Sequence, residues 1–423
     1  MLDIRLLRED PDAIKNRIKT RGGDAWELID EILACDEKRR SGETDKQTLQ
    51  SDRNRISKEI GVLKKEGKDS SAIETEVRGI GERIKAIGIE ADAAEARQTE
   101  LLLQVPNLPH DACPIGEDEE SNPLVREWGE KPSFDFEPKD HVAIGSDLSL
   151  FDFELGTRVS SSGFITFTGP GAKLQRALIQ FLLDLQTEEH GYREVSPPFI
   201  INRDSMFGTG QLPKFEDDMY ALEDGAFFLA PTAEVPVTNL YREQLLQEEE
   251  LPIKLTAYTP CFRREAGSAG RESRGMIRMH QFDKVELVNI VHPDESTAML
   301  EKLTAEAETV LQRLGLHYRT IELCTGDIGF SSAKTYDIEV WAPGHGGYLE
   351  VSSCSNFGDY QTRRMRLRFK DENGKNRFCH TLNGSGTALP RLYVALIETY
   401  QQADGSILLP EALIPYVGSE KIS

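Results

Sequence analysis

Mostly apolar residues in the segment 71–103 recur at alternating spacings of four and three positions. The stripe consists of Ile73, Val77, Ile80, Ile84, Ile87, Ala91, Ala94, Gln98 and Leu101. A repeat of about 3.5 residues keeps one face of a helix turned toward a partner helix, as in a coiled coil. The pattern therefore predicts a long helix with one apolar seam.

A weaker seam of the same spacing precedes it. Its apolar members are Leu28, Ile32, Cys35, Leu49, Ile56, Ile60 and Leu63, while Arg39, Gly42, Lys46 and Arg53 fall on the same stripe. Residues 67–71, GKDSS, separate the two seams and are typical of a polar turn. We therefore expect a helical hairpin over about residues 27–100, with helices of roughly 35–40 residues and poor packing in the middle of the first helix. Its tip is mildly basic, which suits either a spacer rod or an arm that contacts a large partner.

Two stretches flank the hairpin. Residues 3–20 have the pattern of a short amphipathic helix, with Pro11 at a helix start and Asp10 as its cap. Residues 106–150 contain six prolines and the acidic run 117–120, which predict a surface linker with little regular structure. The predicted domains are therefore 1–105, a linker at 106–150, and 151–423.

Beyond residue 150, strand-like runs alternate with helical stretches. The runs 254–265 and 348–369 read as strands, and 172–190 and 294–314 read as amphipathic helices. The strands lack regular βαβ spacing, which favours an α+β fold with an antiparallel or mixed sheet covered by helices. Neither GxxxxGK[ST] nor GxGxxG occurs, so nucleotide binding of the P-loop or Rossmann type is excluded.

Composition and charge narrow the class of protein. The chain has 423 residues and a net charge of −22, of which residues 1–100 contribute little, with 20 basic and 23 acidic side chains. This acidity does not by itself indicate a nucleic-acid partner. The sequence shows no apolar stretch long enough for a membrane helix and no apolar signal segment, and its six cysteines form no CxxC pair. We expect a cytoplasmic protein with reduced thiols.

The run 260–288 is locally basic within this acidic region. Its basic residues Arg263, Arg264, Arg271, Arg274, Arg278 and Lys284 face the acidic Glu265, Glu272, Asp283 and Glu286. Guanidinium groups clamp phosphate oxygens, and an aromatic side chain such as Phe282 can stack on a base. A solvated charged hairpin is the structural alternative.

Three further runs carry candidate chemistry. Thr232 and Glu234 follow an apolar strand and could hold an ammonium group, although Thr232 could equally act as a cap. Glu350 and Ser353 could offer oxygen ligands to magnesium, and the cations at 363–370 alternate along an expected strand. NGSG at 383–386 predicts a turn into an amphipathic helix, with Arg391 near the helix start where an anion is favoured.

These blocks together resemble the seryl-tRNA synthetases of bacterial type, a family of class II aminoacyl-tRNA synthetases, over nearly the whole chain. GYREVSPPFIIN at 191–202 is similar to the class motif 1, FRREAGSAGRESRGMIRMHQFDKVE to motif 2, and TLNGSGTALPRLYVALIETYQ to motif 3. One departure is Pro390, which stands where many members have glycine before the motif 3 arginine. We expect Pro390 to shape the helix start and ATP binding to be retained.

The resemblance implies a fold, a reaction and partners. The fold is an antiparallel class II catalytic sheet preceded by a coiled-coil hairpin. The reaction uses ATP and Mg²⁺ to convert L-serine to seryl-adenylate and then transfers serine to the 3′ end of tRNA(Ser) and, as is frequent in the family, also to that of tRNA(Sec). The implied partners are the long variable arm of the tRNA, bound by the hairpin, and a second copy of the chain in a homodimer built partly through motif 1.

The resemblance also assigns residues. Serine binding falls to Thr232, Ala233, Glu234, Glu286, Asn383 and Ser385. ATP binding falls to Arg263, Arg264, Glu265, Phe282, Glu350, Val351, Ser352, Ser353 and Arg391. Glu350 and Ser353 are the implied magnesium ligands, and Arg263 and Arg391 are the catalytic pair that would stabilise phosphate charge.

Two alternatives stay open on the sequence. The first is a synthetase-like ligase that loads an amino acid onto a carrier protein, against which the full-length hairpin argues. The second is a coiled-coil RNA-binding or scaffolding protein without catalysis, against which the four blocks of the third region argue.

Overall fold

The computed structural model describes residues 1–266 and 275–423. The chain divides into two compact units, Met1–Leu108 and Pro109–Ser423. Within the described residues, none of the helices combines the length and apolar character that a bilayer span requires. All six cysteines are free thiols, as the sequence predicted.

The first unit is helical. Its helices are α1 (Ile4–Glu9), α2 (Pro11–Lys19), α3 (Leu28–Lys65) and α4 (Ser71–Leu102). Residues 3–20 therefore form two short helices instead of one, because the Asp10 side chain accepts a hydrogen bond from the Ala13 amide and starts a new helix with Pro11 in its first turn.

Helices α3 and α4 pair along the predicted seam. Every predicted seam position of α4 is buried or half-buried, from Ile73 to Leu101. Near the base, Arg97 forms an ion pair of 2.8 Å with Glu31, and Gln98 Nε2 donates to the carbonyl oxygen of Ile32. The hairpin prediction is confirmed.

The middle of α3 is thinly packed, as expected, because no residue of this fully described helix between Asp36 and Ile56 is buried. The two helices nevertheless approach closely at Gly42. A Cβ atom placed on Gly42 would lie 3.2 Å from the Ala91 Cβ, so the glycine allows the two helices to approach. Arg39, also on the seam, forms an ion pair of 3.1 Å with Asp36, whose side chain is 1% exposed. Arg39 thus has a local partner on its own helix.

The second unit combines helices with a large sheet. Its helices are α5 (His141–Asp147), α6 (Phe153–Val159), α7 (Gly169–Asp184), α8 (Arg203–Thr209), α9 (Glu234–Thr238), α10 (Ser296–Arg313), α11 (Tyr360–Met365), α12 (Leu389–Thr399) and α13 (Ile414–Val417). Its strands are β1 (Leu124–Trp128), β2 (Phe151–Asp152), β3 (Thr166–Phe167), β4 (Arg193–Glu194), β5 (Ile200–Asn202), β6 (Ala221–Leu222), β7 (Phe227–Leu229), β8 (Leu245–Gln247), β9 (Ile253–Phe262), β10 (Gln281–Val291), β11 (Tyr318–Glu322), β12 (Lys334–Ala342), β13 (Gly347–Asn356), β14 (Arg368–Lys370), β15 (Asn376–Phe378), β16 (His380–Ala388), β17 (Ile407–Leu408) and β18 (Lys421–Ile422).

Among the described residues, eight strands form the main sheet in the order β1-β11-β12-β13-β16-β10-β9-β4. All neighbours are antiparallel except β4 and β9, which run parallel. The α+β prediction is confirmed. The 106–150 segment is more regular than expected, because β1 pairs with β11 as the outer strand of this sheet and α5 forms at residues 141–147.

The two faces of the sheet have different roles. Val285 and Leu287 of β10 point into a large apolar core, where they join Leu303 of α10 and Val394 of α12. Side chains alternate along a strand, so Lys284 and Glu286 lie on the other face. That face carries the polar residues singled out in the sequence.

Two local predictions were wrong. The segment 363–370 is not one strand, because its first residues end the helix α11 and only Arg368–Lys370 form β14. The NGSG run is not a turn, because it lies inside β16, between β10 and β13. Gly384 fits there because a Cβ atom on it would meet Cys354 Sγ at 2.8 Å.

Candidate active site

Glu286 stands at the centre of the open face of the sheet. Its neighbours across the ladder are Ala257 on β9 and Ser385 on β16. The register of β10 and β16 shifts here, since Val285 pairs with Thr387 and Glu286 with Ser385, which leaves Gly386 as the extra residue of a β-bulge. The bulge places Ser385 directly opposite Glu286.

A short polar cluster forms around the Glu286 carboxylate. Thr232 Oγ1 donates to Glu286 Oε2 at 3.3 Å, and Lys284 forms an ion pair with the same oxygen. Glu286 is 2% exposed and Lys284 7% exposed, so the ion pair offsets the cost of burying each charge. Thr232 also accepts a hydrogen bond from the Glu234 amide, so it has both the polar role and the capping role that the sequence allowed.

Glu234 lies beside this cluster at the start of α9 and is 9% exposed. Burial and the neighbouring Glu286 carboxylate raise the pKa of Glu234 to about 7. Hydrogen bonds from the side chains of Gln361 and Asn383 act in the opposite direction. The site therefore places two carboxyl groups side by side, an arrangement that attracts cations.

The remaining residues expected to bind serine adjoin this pair. Asn383 and Ser385 are each 7% exposed on β16. Ala233 is fully buried among apolar side chains, so only its backbone can face a ligand. The structure brings Thr232, Glu234, Glu286, Asn383 and Ser385 together from three separate parts of the chain.

The end of β9 and the start of β10 form a second cluster. The Arg263 guanidinium lies over the Phe282 ring at 5.2 Å from its centroid. Arg263 Nε donates to the carbonyl oxygen of Pro231, the residue before Thr232, at 3.2 Å. The arginine–phenylalanine pair is therefore tied directly to the strand end that carries Thr232.

The loop that follows is described only at its two ends. Glu265 forms an ion pair with Arg278 across those ends, and the Arg264 amide donates to the carbonyl oxygen of Asp218. The predicted loop residues Arg271, Glu272 and Arg274 lie outside the described residues.

A third cluster joins Arg391 to Glu350. Arg391 Nη1 donates to the Glu350 carbonyl oxygen at 2.8 Å and lies 3.5 Å from its carboxylate. Arg391 sits in the first turn of α12, right after Pro390, as the sequence predicted. Arg391 Nε also donates to the carbonyl oxygen of Ile277, so this arginine connects β13 to the segment that follows the basic loop.

The four residues 350–353, which the resemblance assigns to ATP, differ in whether their side chains are available to a ligand. Val351 lies in the apolar core, and Ser352 Oγ donates to the carbonyl oxygen of Ser385 at 2.6 Å. The side chains of these two residues thus contact other parts of the protein and are not available to a ligand. Glu350 is exposed, and Ser353 lies opposite Asp337 across the ladder. Burial and Glu350 raise the pKa of Asp337 well above its ordinary value.

The donor set at Glu350 and Ser353 fits magnesium. Both offer hard oxygen ligands, and Mg²⁺ in nucleotide sites is typically held by one or two carboxylates together with substrate phosphates. In the described part of the chain, no group of three or more His, Cys, Asp or Glu side chains has the arrangement of a metal centre.

Sequence reasoning missed two residues of the site. Lys284 was counted only as part of a basic run, although its place two residues before Glu286 on one strand puts both on the same face. Gln361 carried no signal, because its segment was expected to be a strand.

A large, mostly antiparallel sheet with this set of arginines, a stacked phenylalanine and a buried carboxylate pair defines the catalytic core of a class II aminoacyl-tRNA synthetase. The family model described as tRNA synthetase class II core domain (G, H, P, S and T) matches residues 215–400. A second model, the seryl-tRNA synthetase N-terminal domain, matches residues 1–109. The chain belongs to the seryl-tRNA synthetase family.

Individual relatives agree with this assignment. The serine–tRNA ligase of Akkermansia muciniphila is 64% identical over 422 residues, which cover 100% of this chain and 99% of the relative. A seryl-tRNA synthetase of Pyrococcus horikoshii, solved in complex with ATP, superposes with a TM-score of 0.95 at 36% identity and covers 100% of this chain and 99% of its own. The cytoplasmic enzyme of Naegleria fowleri, solved with AMP, gives 0.90 at 29% identity, with 100% and 99% coverage.

Proposed function

We propose that this chain activates L-serine with ATP and transfers the seryl group from seryl-adenylate to the 3′ end of tRNA(Ser). The observation that carries the proposal is the cluster of Thr232, Glu234, Glu286 and Ser385 next to the Arg263–Phe282 pair. This arrangement offers an amino-acid pocket and a nucleotide pocket that share one strand end.

The pocket suits serine in particular. Ionised Glu234 would hold the ammonium group, and Glu286 with Ser385 would hydrogen-bond the side-chain hydroxyl. A site built to pair with a hydroxyl rejects analogues that lack it, because the buried polar groups are then left unpaired. Threonine would have to be excluded by the size of the pocket.

The first step needs no protein nucleophile. A carboxylate oxygen of serine attacks the α-phosphorus of ATP, the bond to the β-phosphate oxygen breaks, and pyrophosphate leaves. Arg263 would hold the α-phosphate with adenine stacked on Phe282, and Arg391 would bind the terminal phosphates, so that positioning and charge stabilisation supply the rate. Magnesium, held by Glu350, Ser353 and the phosphates, would neutralise phosphate charge.

In the second step a ribose hydroxyl at the 3′ end of the tRNA attacks the carbonyl carbon of seryl-adenylate, and AMP leaves. The α3–α4 hairpin would hold the tRNA through its long variable arm, and a homodimer formed partly through residues 191–202 would complete the enzyme. Lys58 and Lys65 near the tip have no ion-pair partner among the described residues, which leaves them available to phosphates. The same arm would accept tRNA(Sec).

Two assays test the function. Serine-dependent exchange between ATP and pyrophosphate reports the first step, and Glu286→Ala should abolish it. Normal exchange by that variant would remove Glu286 from the pocket. Charging of tRNA(Ser) reports the second step, and a variant with Thr44–Lys85 replaced by a short glycine–serine loop should lose charging while it keeps exchange.

The second assay also separates the alternatives. A ligase that loads a carrier protein would exchange pyrophosphate with serine and yet fail to charge tRNA(Ser) with the complete arm present. A scaffolding protein would fail both assays.

A further inference from the structure

Gln361 is a buried amide that contacts the proposed amino-acid pocket through a hydrogen bond to Glu234. It lies in the first turn of α11 and is 1% exposed. Three hydrogen bonds join it to Thr209 at the end of α8, to Thr381 on β16 and to Glu234. The sequence motifs assign it no role in binding or catalysis.

The orientation of the Gln361 amide is fixed by its surroundings. One atom lies 3.1 Å from the Thr209 carbonyl oxygen, which can only accept, so that atom is Nε2. Oε1 then faces the Thr381 hydroxyl, which donates to it at 2.7 Å. The second Nε2 hydrogen is therefore aimed at Glu234 Oε1, 2.7 Å away.

The partners of Gln361 make this a rigid arrangement. Thr209 and Thr381 are each 1% exposed, so water does not compete for these hydrogen bonds. A hydrogen bond to an ionised group in such a setting is stronger than one between neutral groups. Gln361 can thus hold the Oε1 atom of the Glu234 carboxyl in place.

The charge balance explains why a neutral donor matters here. Lys284 forms its ion pair with Glu286 and acts on Glu234 only at longer range, so among the described residues no cation lies within 4.0 Å of the Glu234 carboxylate. A lysine at position 361 would neutralise Glu234 internally. An amide stabilises the carboxylate and leaves its charge for an incoming cation.

We propose that Gln361 is a positioning residue for amino-acid binding, which fixes the Glu234 carboxylate so that it pairs with the ammonium group of the substrate. The inference rests on the proposed role of Glu234. It predicts that Gln361 controls the affinity for serine and has little effect on ATP or on the rate of the chemical step.

The test is Gln361→Met, which removes both donors at similar volume, assayed by serine-dependent ATP–pyrophosphate exchange. Loss of a hydrogen bond to a charged group should raise the KM for serine about tenfold to hundredfold, with kcat and the KM for ATP within about threefold of wild type. The curve of kcat/KM for serine against pH should shift to higher pH, because Glu234 loses a donor that favours its ionised form.

The matched control is Gln401→Met. Gln401 is also a buried amide with three hydrogen bonds, two with the Lys139 backbone and one to the Glu398 carbonyl oxygen, outside the pocket. It should lower Tm as Gln361→Met does and leave the KM for serine and the pH curve unchanged. Gln361→Lys is a second variant, which should retain or raise Tm and still raise the KM for serine.

Two results would overturn the inference: an unchanged KM for serine in Gln361→Met and Gln361→Lys, or equal losses in all kinetic constants in Gln361→Met and Gln401→Met. The variant Glu234→Gln distinguishes failure of the inference about Gln361 from failure of the proposed function. If Glu234→Gln raises the KM for serine and Gln361→Met does not, only the role of Gln361 is wrong. If neither does, the ammonium site is elsewhere.

Discussion

Thr232 Oγ1 donates a hydrogen bond of 3.3 Å to Glu286 Oε2, and Lys284 pairs with the same carboxylate. The hydroxyl comes from the turn before α9 and the carboxylate from the middle of β10, 54 residues later in the chain. This contact makes Thr232 a support for the Glu286 carboxylate. In the proposed function Thr232 is a serine-binding group as well.

Replacing Thr232 with valine tests this contact. Valine has nearly the same shape but no hydroxyl, so Glu286 loses a donor and the pocket loses a polar group. We expect kcat/KM for serine to fall about tenfold or more. Thr232→Ser keeps the hydroxyl and should stay within about threefold of wild type in the same exchange assay. Equal activity of the two variants would contradict the role of the hydroxyl.

The raised pKa of Glu234, about 7, predicts opposite effects of pH on function and on stability. Serine binding needs the ionised form, so the KM for serine in the wild type should rise as pH falls below 7. The fold favours the protonated form, because the pKa in the folded state lies above its ordinary value. That stabilisation is complete at low pH and is lost as pH rises through about 7.

Glu234→Gln, neutral at every pH, checks both signs. The variant should show a high KM for serine that no longer varies between pH 6 and 8. Its free energy of unfolding without substrate should exceed that of the wild type at pH 8 by at most about 3 kcal/mol, with little difference at pH 5. Thermal melts at the two pH values measure this. A variant that is less stable at pH 8 would contradict the assignment.

Substitution of Arg391 should lower the rate of the step that uses ATP and leave serine binding unchanged. Its two contacts to Glu350 keep the guanidinium at the edge of β13, where it can exchange the carboxylate for phosphate oxygens. Arg391→Lys keeps the charge but loses the planar fork, so kcat for exchange should fall roughly 10²- to 10³-fold. The KM for serine should change little. A loss restricted to that KM would place Arg391 elsewhere in the mechanism.

The close approach of the two helices at Gly42 predicts that the hairpin does not tolerate a larger side chain at this position. Its Cβ position lies 3.2 Å from Ala91 Cβ, so Gly42→Leu should force α3 and α4 apart and destabilise the hairpin by about 1–3 kcal/mol. Hydrogen exchange of amides in 28–102 measures this, and tRNA charging should fall while pyrophosphate exchange is unchanged.

At Gly79 nothing lies within 4 Å of the Cβ position, so Gly79→Leu should stabilise α4 by roughly 0.5–1 kcal/mol. Similar effects of both substitutions would exclude close packing at Gly42.

Local sequence patterns were sufficient to predict an element correctly where a single physical effect, such as burial of one apolar stripe, determines its structure. The 3.5-residue seam set the hairpin and its register because burial of a single stripe is a local property of a helix. They failed at 363–370 and at NGSG, where the local cues were alternating cations and turn-forming residues. Tertiary packing overrode both, since α11 docks on α8 and β16 is held between two strands.

The sequence by itself determined the helical hairpin, the α+β class and, through the order of its motifs, the family. Through the resemblance it also proposed the residues of the pocket, because their types and motif positions are readable one by one. Only the tertiary structure decided which of them meet. The bulge that sets Ser385 against Glu286, the ion pair of Lys284 and the amide of Gln361 on Glu234 join residues from distant strands and helices, and no local propensity encodes such pairings.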